Sequence, residues 1–313
     1  MDKKIAVIFP GQGAQYVGMG KDFYETFSTA KETFEEANQV LDFSLSDLCF
    51  NGPSEELTLT KNSQVAIYVM SIALWRVFKE QCPEIVSAVM AGLSLGEYTA
   101  LTASGRLSFS EGIALVRARG LAMHESGERH PGTMAVCLGL EVAAVNEAIG
   151  SIDGVWVANL NCPGQVVISG SREGIEKSKT LLKEKGAKRV LPLDVSGAFH
   201  SGLMEEAQSA LKEKINQIKL TPSQTALVMN VSGGYVTEEE IRECMVSQVV
   251  SPVQWEKGIR AMQEKGVSLF IEIGCGKTLA GMNRKIGIQG ETLSLEKVED
   301  LEKLGELTPL AKR

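Results

Sequence analysis

Val89-Met90-Ala91-Gly92-Leu93-Ser94-Leu95-Gly96-Glu97-Tyr98 is the stretch whose reading decides the fold. It reads as a buried strand, a sharp turn and the start of a helix. Gly92-Leu93-Ser94-Leu95-Gly96 fits G-x-S-x-G, the nucleophile elbow. A strand that turns at once into a helix crowds its own backbone, so glycines are needed on both sides of the serine. The serine hydroxyl is then pushed out at the top of the sheet. The amide of Leu95 falls in the first helical turn, where N–H groups lack partners, and so can donate to an oxyanion. The competing reading is an ordinary strand–loop–helix with a chance serine. The flanking strand and helix signals favour the elbow.

Toward the N-terminus, Ile5–Phe9 is a short apolar run expected to be a buried first strand. Pro10-Gly11-Gln12-Gly13-Ala14-Gln15 follows directly, a Gly-rich loop of the kind that builds sites at the carboxyl edge of open α/β sheets. It is not G-x-G-x-x-G, because Tyr16 stands where the third glycine belongs, so a dinucleotide site is not supported. Gln12 is expected to project toward the site. Residues 28–41 and 62–81 read as helices, the second strongly apolar. Ser108-Phe109-Ser110-Glu111 is a capping box opening a helix to about His124.

From Gly132 to Leu193 strand and helix patterns follow the order βαββαβ, a ferredoxin-like unit. Strands are expected at 133–138, 155–159, 165–169 and 189–193, with helices at 141–149 and 172–185. The fold class is therefore α/β: a mostly parallel, hydrolase-like core with an inserted ferredoxin-like small domain. The large domain takes residues 1–127 and 195–313, and the small domain 128–194, with Gly127–Gly132 as the linker into it. After a strand at 268–273, Gly274-Cys275-Gly276-Lys277-Thr278 imitates a P-loop, but that motif needs glycine where Ile271 stands. A strand–turn–helix with Lys277 at its start is expected instead. The charged tail, about 296–313, is expected to form a short helix and then fray.

Composition narrows the function. The 313 residues are 44% hydrophobic and 23% charged, with net charge −7. A nucleic-acid footprint would need a basic excess. Cys49, Cys82, Cys137, Cys162, Cys244 and Cys275 form no C-x-x-C pair, so neither zinc nor redox chemistry is indicated and free thiols in a reducing cytosol are expected. The run after Lys3-Lys4 is too short for a signal peptide. The apolar stretch 65–75 is too short for a membrane span. A soluble, cytoplasmic protein with no metal is expected.

A serine needs a base. Of three histidines, His124 and His130 look exposed, at a helix end and in a polar linker. His200 sits among small residues in Asp194-Val195-Ser196-Gly197-Ala198-Phe199-His200-Ser201-Gly202, a loop suited to the sheet edge, and is the expected base. Asp194 would complete the order Ser…Asp…His, but it lies only six residues before His200. A Ser–His dyad oriented by a backbone carbonyl fits as well. Arg117 and Arg119 lie two apart on a helix and point to different sides. From spacing alone both read as solvated surface residues.

Taken together the motifs resemble the malonyl-CoA:acyl carrier protein transacylases and the related acyltransferase domains of polyketide and fatty acid synthases. The resemblance runs to about residue 285. It rests on Pro10–Gln15, Gly92–Tyr98, Arg119-Gly120, Asn161-Cys162-Pro163-Gly164-Gln165, Ala198–Ser201, and Gln248 with Ser251-Pro252-Val253. It implies Ser94 as nucleophile, His200 as base oriented by a carbonyl at Gln248, and the amides of Gln12 and Leu95 as oxyanion hole. It also implies Arg119 as holder of the malonyl carboxylate, with Leu93, Phe199 and Asn161 in the pocket. Phe199 resembles the malonyl-selecting form of its loop. Many members carry His where Leu93 stands, so altered pocket polarity is expected here.

The implied reaction is ping-pong transfer from malonyl-CoA to the phosphopantetheine thiol of an acyl carrier protein, supplying fatty acid synthesis. The partners implied are these two, with no nucleic acid, no membrane and no resident cofactor, and the protein is expected to be a monomer. Lys188-Arg189 and Arg284-Lys285 are carrier-docking candidates by charge only. The alternatives are a serine hydrolase or thioesterase using Asp194, an inactive carrier-binding module, and a transacylase for another acyl group.

Overall fold

Ten strands form among residues 3–305, the residues described by the structure, which is a computed structural model. In chain order they are β1 Lys4–Phe9, β2 Ser87–Gly92, β3 Gly132–Leu138, β4 Val155–Cys162, β5 Gln165–Ser171, β6 Arg189–Pro192, β7 Ala226–Met229, β8 Gly234–Tyr235, β9 Val267–Ile273 and β10 Glu291–Leu295. They make two sheets, of order β10-β9-β1-β2-β7-β8 and β4-β5-β3-β6.

The first sheet is parallel from β10 to β7, with only the short β8 antiparallel. Parallel strands covered on both faces read as unbroken apolar runs, and Ala6–Phe9 are wholly buried. Because β1 pairs Phe9 with Gly92 and β2 pairs Ala91 with Val228, the strands end at one edge. Gln12, Ser94 and Asn230 all follow strand ends there, where open α/β sheets place their sites. Helix Thr60–Gln81 is buried on every side from Val65 to Trp75, as a helix apolar all round must be. It packs on helices Ser28–Val40 and Phe109–Arg129.

The second sheet is antiparallel throughout. With helices Val142–Ile149 and Arg172–Glu184 it has the expected βαββαβ order, and it encloses a separate apolar cluster around Ala135, Cys137, Val145 and Ile168. Two backbone bonds tie β4 to the large sheet's surroundings, Val253 N–H to Ala158 O and Leu160 N–H to Val253 O, each 2.8 Å.

Two boundary changes bear on the division into domains. The helix capped by Ser108, whose hydroxyl accepts from Glu111 N, continues five residues past His124, to Arg129. The expected linker 127–132 therefore shrinks to His130-Pro131. Pro131 ends the helix, since the residue before a proline is driven out of the helical region. The strand β10 and helix Trp255–Glu264 were not anticipated. Helix Thr278–Ile286 follows Lys277, as the strand–turn–helix reading expected. The tail forms helix Asp300–Gly305; the fraying expected beyond it lies outside the described residues.

Candidate active site

The elbow has the geometry its glycines require. A Cβ on Gly92 would lie 1.9 Å from the carbonyl carbon of Gly96, and one on Gly96 would lie 2.3 Å from Phe9 O. Neither position can carry a side chain. Between them Ser94 is held at φ 52°, and His200 at φ 56°; they are the only non-glycine residues at positive φ among those described. Such strain persists only where the surroundings over-determine it, and it gathers at functional sites. The surroundings here are explicit. Ser94 N–H donates to Asn230 Oδ1 at 2.7 Å, Asn230 Nδ2 donates to Gly92 O at 2.7 Å, and Gln248 Nε2 donates to Ser94 O at 2.9 Å.

Ser94 Oγ lies 2.8 Å from His200 Nε2, and His200 Nδ1 lies 2.8 Å from Gln248 O. A carbonyl can only accept, so Nδ1 carries the proton and Nε2 is free to accept from the serine hydroxyl. Burial, and next the charge of Arg119, push His200 down to about 4, against the raising influence of the Gln248 and Ser251 carbonyls. The ring is therefore neutral and ready as a base at neutral pH. Asp194 is exposed and the Nδ1 position is taken by Gln248 O, so the Ser–His–Asp alternative fails on geometry. The other histidines pair elsewhere: His124 with Glu128, and His130 with Glu206. His124 is also less exposed than expected, its side chain 15% accessible.

Arg119 overturns the reading from spacing, because it is 1% exposed. Its Nη1 donates to Gln64 Oε1 at 2.5 Å, and its Nη2 to Ser94 Oγ and Gln248 Oε1, both at 3.0 Å. It also lies over the Tyr98 ring, 5.3 Å from the centroid. Burial lowers its pKa, against Tyr98 and Glu97, but a guanidinium keeps its proton. Arg117 is not freely solvated either: it donates to Lys61 O and Asn62 Oδ1 and stacks on Phe43.

A cavity of about 260 Å³ contains Ser94 and His200 together with Gln12, Leu93, Asn161 and Phe199. One wall comes from the antiparallel sheet, through Val136, Asn159 and Val167. A larger cleft of about 650 Å³ between β4–β5 and helix Trp255–Glu264 holds neither reacting residue, so the chemistry belongs to the smaller one. Gly11 lets the Gln12 loop close on the elbow, since its Cβ would lie 2.5 Å from Leu93 O. Among the described residues, the amides of Gln12 and Leu95 donate to no protein acceptor, as oxyanion donors must in the resting state. Asn161 is 5% exposed with its Oδ1 unpartnered. Phe199 and Leu93 give the cavity an apolar side. Gln12, Leu93, Ser94, Asn161, Phe199 and His200 thus meet in one cavity, with Arg119 and Gln248 bonded behind Ser94 and His200, while Asp194 lies outside. Lys188, Arg189, Arg284 and Lys285 are all exposed.

Three residues of the network carry no role in the sequence reading: Gln64, Glu97 and Asn230. Glu97 is 2% exposed and its carboxylate accepts from Asn230 N and Gln248 Nε2. The available signal was an acid inside the otherwise buried run Gly96–Leu101, which demands a partner.

The acyl transferase domain family matches residues 7–306. The chain is 44% identical over 304 residues to the malonyl CoA-acyl carrier protein transacylase of Bacillus subtilis, covering 96% of this chain and 95% of that protein. It superposes on the crystal structure of the Clostridium perfringens malonyl CoA-acyl carrier protein transacylase with a TM-score of 0.92 at 38% identity, covering 97% of each. It also superposes on a malonyl-transacylase solved in complex with a type II polyketide synthase acyl-carrier protein, with a TM-score of 0.94 at 36% identity, covering 97% of this chain and 100% of that one.

Proposed function

We infer the function from one premise: the chain belongs to the acyl transferase domain family. It is an acyltransferase that moves a malonyl group to an acyl carrier protein for fatty acid synthesis. The donor is malonyl-CoA and the intermediate a malonyl ester of Ser94. The observation that carries this reading is a fully buried guanidinium 3.0 Å from the nucleophile. Two side-chain amides hold Arg119 and, among the described residues, no carboxylate bonds it, so an incoming acyl carboxylate meets an unneutralised bidentate donor.

Ser94 Oγ attacks the thioester carbonyl as its proton passes to His200 Nε2. The oxyanion is held by the amides of Gln12 and Leu95. The C–S bond breaks and coenzyme A leaves with the proton from His200. The phosphopantetheine thiol of the carrier then attacks the ester, His200 again takes and returns the proton, and Ser94 is regenerated. Every step is acyl or proton transfer, so the scheme calls for no metal or redox cofactor. Leu93 replaces polar lining by an aliphatic wall and lies outside this proton path. The intact Ser94–His200 bond speaks for an active enzyme rather than a bare carrier-binding module.

We read residues 128–194 as the wall-forming unit and 1–127 with 195–313 as the catalytic one. We also read the protein as a cytoplasmic monomer. Among the described residues the exposed large hydrophobics are single residues in separate segments (Val17, Val40, Val86, Val142 and Leu191), and no helix is long and apolar enough to cross a membrane.

The direct test is intact mass after mixing with malonyl-CoA. The protein should gain one malonyl group and lose it on addition of the holo carrier, with malonyl-carrier appearing. Release only as free malonate, indifferent to the carrier, would mean a hydrolase.

A pH profile gives a second test. His200 works as a base only when neutral, and in the free enzyme it is pushed below 6.5 to about 4. The acid limb of the acylation rate should therefore fall below pH 5.5. Once the malonyl carboxylate offsets Arg119, one cause of that depression is removed. The acid limb of transfer to the carrier should accordingly lie at higher pH than that of acylation. Acylation that falls off with an apparent pKa of 6.5 or more would contradict this.

A further inference from the structure

Gln248 joins all three groups of the site. Its carbonyl orients His200, its Nε2 donates to Ser94 O, and its Oε1 accepts from Arg119. Which end of its side chain faces Arg119 depends on what the other end meets. That other end meets Ser94 O and Glu97, whose Oε2 accepts from Gln248 Nε2 while Oε1 accepts from Asn230 N–H. Glu97 does not line the cavity and has no cation within 4.0 Å among the described residues. Burial pushes it up to about 8, against lowering by Asn230, Gln248 and Arg119, so it is the acceptor-only carboxylate above that pH. A buried acid kept in such a place, with both oxygens accepting, must gain its worth through the groups it holds.

We propose that Glu97 is a positioning residue for acyl selection: it fixes the Gln248 amide so that Oε1 faces Arg119, and so holds the guanidinium as a carboxylate receptor beside Ser94. Flipping Gln248 would turn its Nε2 on Arg119, donor against donor, and its Oε1 on Ser94 O and the Glu97 carboxylate, acceptor against acceptor. The Glu97 carboxylate and Ser94 O together exclude that state. The isosteric Glu97→Gln change leaves Ser94 O alone to oppose it, because its amide offers one acceptor where Asn230 N–H and Gln248 Nε2 both need one. Arg119 would then lose a defined partner. The inference rests on the reading of Arg119 as the holder of the malonyl carboxylate.

The test compares malonyl-CoA with acetyl-CoA, which lacks the carboxylate. Single-turnover acyl-enzyme formation is followed by intact mass, at a pH above the value of Glu97, in the wild type, Glu97→Gln, Glu97→Asp, Arg119→Ala and the Glu97→Gln/Arg119→Ala double variant. Glu97→Gln should lower the malonyl-over-acetyl preference about ten- to a hundredfold, the range of one hydrogen bond to a charged group. Saturation should shift to higher malonyl-CoA concentration. Glu97→Asp, which keeps two acceptors, should recover part of the preference. The double variant should lose no more preference than Arg119→Ala alone.

Equal loss for both substrates in Glu97→Gln would overturn the proposal and leave Glu97 as a brace of the elbow through Asn230. If Glu97→Gln does not fold, full wild-type preference in Glu97→Asp would overturn it, as would a loss in the Glu97→Asp/Arg119→Ala double variant beyond that of Arg119→Ala alone. If Arg119→Ala itself keeps the malonyl preference, the reading of Arg119 fails, which is a separate outcome.

Discussion

Replacing Ser94 by alanine should lower malonyl transfer by about 10⁴- to 10⁶-fold, the scale set by removing the nucleophile from a serine enzyme. It should also abolish the malonyl adduct in the mass spectrum. The protein should stay folded, because what holds position 94 is main chain. Its N–H still donates to Asn230 Oδ1 and its carbonyl still accepts from Gln248 Nε2. Alanine bears the same Cβ at the same positive φ, so no new strain appears. What disappears is the oxygen shared by His200 Nε2 and Arg119 Nη2. The thermal midpoint should therefore lie within a few degrees of wild type. An adduct that persists in Ser94→Ala would move the covalent chemistry to another residue and refute the scheme.

The elbow was legible because its constraint is local. A Cβ on Gly92 would collide with the backbone of Gly96, four residues on, so the motif carries part of its own reason. His200 was legible by elimination among three histidines. The βαββαβ unit was legible because alternation and helical periodicity are properties of short windows. Arg119 was not legible in this way. Its partners Gln64 and Gln248 lie 55 and 129 residues away, and nothing within its helix distinguishes a buried arginine from a solvated one. Only the resemblance of Arg119-Gly120 and its companion motifs to a known family placed it. Asn230 escaped for the same reason: it reaches the elbow from 136 residues away. The helix through Arg129 was cut short because glycine at 127 reads as a breaker, whereas here it allows close approach, a Cβ lying 2.9 Å from Ser196 O.

The largest expected effect on which acyl group is accepted is at Arg119. Arg119→Ala should lower the rate of malonyl acylation by about 10²- to 10⁴-fold, the equivalent of the 3–5 kcal/mol lost when one partner of a buried charged pair is removed. Acetyl acylation should fall far less, because an acetyl group offers the guanidinium no carboxylate. Ser94 and His200 keep their bond without it. The preference for a carboxylated acyl group should collapse. Stability should fall as well, since Gln64 Oε1 and Gln248 Oε1 each lose their donor and a buried orphan acceptor costs about 1–3 kcal/mol. Arg119→Lys should recover only part of the preference. A lysine restores the charge but has no planar fork to serve Gln64 and Gln248 while meeting a carboxylate in two places. The measurement is the pair of acylation rates, malonyl-CoA against acetyl-CoA, alongside the thermal midpoint. Equal losses for the two substrates would show that Arg119 serves the nucleophile alone and that selection lies elsewhere in the cavity.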